Sequence, residues 1–222
     1  MSRRLLAFLL AFLLLSMPSR ARDDSVGLIS GASGARIASG LVSAGATIFD
    51  GDRLSTAEEG FVDLRSGPSR IYLFGQSTAT LDGTPKSLKA ELAAGSLAFS
   101  TTLVEAVTVQ AGGAMIRPAA DAPTSAQVKI LGPANLLITA RSGALQFSYR
   151  GESQVLQEGR MYRIALDLSA APSAGASAGG NPTRPGGRED KAFKIVAVLG
   201  IIGIGGLTAW AIHEAVESPD RP

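Results

Sequence analysis

Gly51-Asp52-Arg53-Leu54-Ser55-Thr56-Ala57-Glu58-Glu59-Gly60-Phe61-Val62-Asp63-Leu64-Arg65-Ser66-Gly67-Pro68-Ser69-Arg70-Ile71-Tyr72-Leu73-Phe74 decides the fold class. Large apolar residues recur at every second position, Val62 and Leu64 in Phe61-Val62-Asp63-Leu64 and Ile71 and Leu73 in Arg70-Ile71-Tyr72-Leu73-Phe74, and Gly-Pro separates the two runs. Period-two alternation gives a strand one buried face, while Gly and Pro end it.

The same grammar extends outward. Thr78–Leu81, Ser96–Phe99, Val107–Val109, Gln127–Ile130, Leu136–Ile138, Ala144–Phe147 and Met161–Ile164 are short runs punctuated by Gly, Pro, Asn or Asp. No stretch sustains a helical period. About a dozen short strands predict an all-β domain, a two-layer β-sandwich, jelly roll or β-roll. Ser87–Ala94 reads as two strands around a turn in preference to one helical turn. Two echoes suggest layered strands. Gly95-Ser-Leu-Ala-Phe-Ser returns as Gly143-Ala-Leu-Gln-Phe-Ser, and Glu59-Gly60 before a strand returns as Glu158-Gly159.

Both ends differ from this middle. Residues 1–21 carry Arg3 and Arg4, an 11-residue apolar run Leu5–Leu15, a break at Pro18 and the small-x-small exit Ser19-Arg20-Ala21. That pattern is a signal peptide. Ile195–Ile212 is an 18-residue run without charge, long enough for a membrane span, with Lys191 and Lys194 before it and Trp210 at its far end. The expected organisation is signal peptide 1–21, β domain 22–168, Ala/Gly/Ser/Pro-rich linker 169–190, transmembrane helix 191–213 and short tail 214–222. Gly205 and Ala209 form a small-xxx-small pair, a candidate helix–helix contact for a homodimer. The cations before the span favour a cytoplasmic residue 190 and the signal peptide an exported one. A translocated domain overrides loop charge, so the expected location is the inner membrane with the β domain in the periplasm or equivalent extracytoplasmic space.

Composition excludes much chemistry. The chain has no Cys and one His, His213, which lies outside the β domain. Thiol catalysis, disulfides and thiolate metal sites are thus absent, and a Ser-His-Asp triad is out of the domain's reach. Gly175-Ala-Ser-Ala-Gly matches a nucleophile-elbow string but lies in the linker, where no strand or helix can strain it. Asp50/Asp52 and Glu58/Glu59 are close carboxylate pairs, and Asp50-Gly51-Asp52 reads as a turn rather than a metal or acid/base site. No catalytic, cofactor or metal residue is expected. Val26–Leu168 holds twelve basic and twelve acidic residues, and this neutrality gives no nucleic-acid footprint.

The order of several motifs resembles FecR-type domains. Gly51-Asp52-x-Leu54-x-Thr56 followed by Gly60 is similar to their "GD-x-L-x-T" turn and strand. Leu92-Ala-Ala-Gly95-Ser-Leu97, Val107-Thr-Val109 and the closing Val155–Ile164 resemble their later strands. Gly51, Asp52, Leu54, Thr56 and Gly60 are then motif residues with a structural role. The resemblance implies an extracytoplasmic β module, as in inner-membrane regulators that relay receptor occupancy to a sigma factor. Those regulators place a cytoplasmic anti-sigma segment first, whereas this chain opens with a signal peptide and spans the membrane last. The expectation is a membrane-tethered binding or scaffold module, not an enzyme, whose partner is an envelope protein or cell-wall polysaccharide. The alternative is a sensor that relays an envelope signal to a separate partner.

Overall fold

The computed structural model describes residues 25–38, 40–168 and 193–198, and all its regular structure is β. Sixteen strands among these residues run β1 Ser25–Ile37, β2 Gly40–Val42, β3 Thr47–Phe49, β4 Asp52–Ser66, β5 Ser69–Leu73, β6 Thr78–Thr84, β7 Ser87–Ala94, β8 Ser96–Thr101, β9 Val107–Ala111, β10 Ala114–Pro118, β11 Thr124–Gly132, β12 Asn135–Ser142, β13 Leu145–Tyr149, β14 Glu152–Leu156, β15 Arg160–Leu166 and β16 Phe193–Val198.

The expected all-β class holds for the described residues, with two differences. One continuous hydrogen-bonded path joins the strands, β14-β13-β10-β9-β7-β6-β4-β5-β8-β11-β12-β15-β16, so the two layers belong to a single curled sheet. Two strands are long: β1 has 13 residues and β4 has 15. β4 makes the curl. Its first residues, Asp52–Ser55, pair with β6, and its last, Val62–Ser66, pair with β5. β1 follows β4 across this corner, with register shifts at Ile29/Gly31 and Ser33/Ala35. Such bulges bend a strand.

The corner needs glycine. A Cβ on Gly60 would lie 2.8 Å from the carbonyl oxygens of Gly34 and Ser33, closer than such atoms approach. A Cβ on Gly75 would collide with the Glu58 carbonyl.

Alternate residues of each strand enter one apolar core that includes Leu54, Leu64, Leu73, Leu97, Phe99, Val109, Ile116, Val128, Ile138, Leu145, Phe147 and Ile164. Phe193 on β16 closes its open side, meeting Phe147 edge to face with ring centroids 4.8 Å apart. Each such ring contributes about 1.5–3 kcal/mol when taken fully from water.

The first echo is structural. β7 and β12 occupy equivalent places 48 residues apart, and Gly95 (φ 83°) and Gly143 (φ 70°) each lead the chain across to the opposite layer, into β8 and β13. The second echo is not equivalent. Gly159 takes φ 72° in the turn before β15, whereas Gly60 lies inside β4, where close backbone approach requires it. Ser87–Ala94 is one unbroken strand rather than two around a turn, with Leu88, Ala90 and Leu92 buried on one face. The period of two outweighs the Leu88/Leu92 spacing.

Phe193–Val198 also departs from expectation. The sequence predicts a membrane helix over 191–213, yet Phe193–Val198 form a strand in register with β15 from Met161↔Val198 to Leu166↔Phe193. β-branched Ile195, Val196 and Val198 suit a strand, and the β15 edge supplies backbone partners. Among the described residues no helix is long and apolar enough to cross a membrane. The segments expected to be a signal peptide, a linker and the rest of the membrane span lie outside the described residues.

Candidate functional site

The motif residues Gly51, Asp52, Leu54, Thr56 and Gly60 gather at the corner. Gly51 adopts φ 80° and donates its N–H to Leu81 O at 2.8 Å. The Asp52 carboxylate accepts the Phe49 N–H at 2.9 Å, and the Asp50 carboxylate accepts the Gly83 N–H at 2.6 Å. Both acids thus bind backbone donors of a turn. Leu54 is buried in the core. The Thr56 hydroxyl accepts the Ser77 N–H at 3.0 Å and faces the carbonyls of Phe74 at 2.5 Å and Ser77 at 3.3 Å. The Ser77 hydroxyl in turn accepts the Ser96 N–H at 2.9 Å. This chain of hydroxyls ties β4 through the β5–β6 loop to β8. The motif therefore shapes the sheet. Glu58 and Glu59 are exposed at the bend. Gly205 and Ala209 lie outside the described residues. Among the described residues no group of three His, Asp or Glu gathers to hold a metal.

The chemistry concentrates elsewhere, on the outer face of the layer β4-β5-β8-β11-β12-β15. Three cross-strand rows run over it. One joins Arg65, Arg70, Ser100, Ser125 and Ser142 in register. The next joins Asp63, Tyr72, Ala98, Gln127, Thr139 and Met161. The third joins Ser96, Lys129, Leu137 and Arg163. Small residues on β8 (Ser96, Ala98 and Ser100) form the floor between longer side chains.

On one flank Phe61 stacks on Tyr72, with centroids 5.6 Å apart and planes 5° from parallel, and Phe74 meets Tyr72 edge to face at 4.8 Å. Below this ridge Arg70 Nε donates to Asp63 Oδ1 at 2.8 Å and Nη2 to Oδ2 at 2.6 Å. The forked geometry fixes both side chains. Burial, helped by the Asp63 carboxylate and opposed by the Arg70 guanidinium, lifts the Tyr72 phenol above its ordinary 10.0.

At the first row's end lies a hydroxyl-lined depression of about 320 Å³ bounded by Pro68, Ser100, Thr101, Thr102, Pro123, Thr124, Ser125 and Ser142. A second of about 230 Å³ adjoins it at Pro68 and Ser100 and reaches Arg65, Ser69 and Arg70. Together they make a shallow groove with hydroxyls along its length and guanidinium groups at one end.

The sequence marks several of these residues as strand or turn positions and none of them as a site. The signal that could have found some of them is the Gly67-Pro68 break. A two-residue turn there pairs Arg65 with Arg70 and Asp63 with Tyr72, and Gly67 has the positive φ of 53° such a turn favours.

No family model matches the chain, and no curated protein matches it. Among solved structures, two crystal structures of a "putative anti-sigma factor" from Parabacteroides distasonis, at 2.50 and 1.65 Å resolution, are similar in part. Each is 13% identical, the match covers 51% of this chain and 54% of that one, and the TM-score is 0.43. The chain thus spans about half the length of those proteins.

Proposed function

We propose that the chain is a non-catalytic, FecR-like binding or scaffold module of the cell envelope, exported by its N-terminal segment and held at the inner membrane by its C-terminal apolar run. Its partner is an envelope protein or a cell-wall polysaccharide, met through the outer face of β5, β8 and β11. One observation carries this reading: that face combines an aromatic ridge, a fixed Arg–Asp pair and an in-register hydroxyl row around a floor of small residues. Such a surface offers many weak, oriented contacts and no convergent acid/base pair.

The test is photo-crosslinking in intact cells with a photoreactive residue replacing Gln127, compared with one replacing Lys89 on the opposite layer. Adducts specific to position 127 are expected. Equal adducts at both positions, or none, would remove the support.

The relay reading is favoured by β16. The strand pairs with β15 at the point where the chain enters its apolar run, so a change in the sheet would reach that run through backbone hydrogen bonds. In this reading the module binds an envelope signal and a separate partner carries it onward.

A further inference from the structure

We infer that the outer-face groove takes an acidic polysaccharide, a glycan bearing carboxylates or phosphates, laid across β5, β8, β11 and β12; this rests on the binding-module reading above. The twelve-to-twelve charge balance hides a segregated distribution. Within the face's three rows Arg65, Arg70, Lys129 and Arg163 stand against Asp63, and Arg70 is already paired with that acid. The face therefore carries an excess of cations.

These cations are distributed. Arg65 and Arg70 mark one end of the groove, while Lys129 and Arg163 flank Leu137 on the third row, two strands and about 10 Å apart. Spread charge suits a polymer with repeated anionic groups better than a single small anion. Between the charged ends lie Ser100, Ser125 and Gln127, partly exposed hydrogen-bonding groups that match the hydroxyls of a sugar chain. The Phe61–Tyr72–Phe74 ridge gives an apolar wall for the C–H side of a ring.

The experiment uses the full-length chain in non-ionic detergent and measures retention by immobilised polygalacturonate, by uncharged dextran and by phosphatidylglycerol vesicles. Polygalacturonate should retain the protein more than dextran or vesicles do, and retention should weaken as salt is raised. Lys129→Gln with Arg163→Gln should weaken it by about two- to thirtyfold, since two exposed charge contacts are lost. Both residues are exposed, so the urea midpoint should stay unchanged. Lys86→Gln with Lys89→Gln, away from this face, should bind as the parent does. Retention by dextran equal to that by polygalacturonate, retention by vesicles alone, no retention, or an unaffected Lys129/Arg163 variant would each overturn the inference. Position-specific crosslinks at residue 127 that survived such a failure would leave the binding face standing and reject only the acidic glycan.

Discussion

Asp63 and Arg70 stand on neighbouring strands, and their two hydrogen bonds hold a carboxylate that water barely reaches: the side chains are 7% and 11% exposed. Removing one partner from such a pair leaves an uncompensated charge. Arg70→Met should therefore cost about 3–5 kcal/mol in urea unfolding. Asp63→Asn combined with Arg70→Met should recover much of that loss, because the stranded charge is gone. A single variant as stable as the parent would show that the pair is not energetically coupled to the fold.

Thr56 is the hinge pin of the corner. Thr56→Val keeps the shape and removes the oxygen that accepts the Ser77 N–H and faces Phe74 O. Leaving such groups unsatisfied costs about 1–3 kcal/mol, read as a lower urea midpoint. Thr56→Ser should retain most of the parent's stability.

Tyr72 sets an alkaline limit. Its phenol holds its proton more tightly in the folded chain than in the unfolded one. The associated stability is intact below the ordinary value of 10.0 and is lost as pH rises through the raised folded value. Tyr72→Phe should flatten the fall of stability in that alkaline range. In the parent, part of the phenolate absorbance should develop later than in the unfolded chain. Identical alkaline profiles for parent and variant would contradict this assignment.

The chain has no cysteine, so an engineered pair gives a single disulfide. Ala165 and Lys194 are cross-strand partners and both exposed, at a separation a disulfide can bridge. Ala165→Cys with Lys194→Cys should form an intramolecular disulfide in the full-length chain, seen as a mobility change reversed by reductant. Its absence would mean that β16 is unpaired there.

The strands were legible because each carries its own evidence. Phe61–Leu64 and Arg70–Phe74 show a buried face within a few residues, and the core members Leu64, Ile71 and Leu73 follow from that alternation. The site was not legible because it exists only after registration. Ser100, Ser125 and Ser142 are ordinary outward residues until three strands align them. Charge was misleading for the same reason: a sum over residues has no sides. β16 escaped because a six-residue strand inside a long apolar run leaves no period of its own.

The strand at the chain's far end sets a length constraint. β16 claims four of the 18 apolar residues from Ile195 to Ile212 and leaves 14. As a helix those reach about 21 Å, short of a hydrocarbon layer of roughly 30 Å. Docked and fully spanning are therefore rival uses of the same residues. Were a bilayer to take them, the edge of the sheet would have to unzip, and a sheet that keeps them leaves the run too short for a full span.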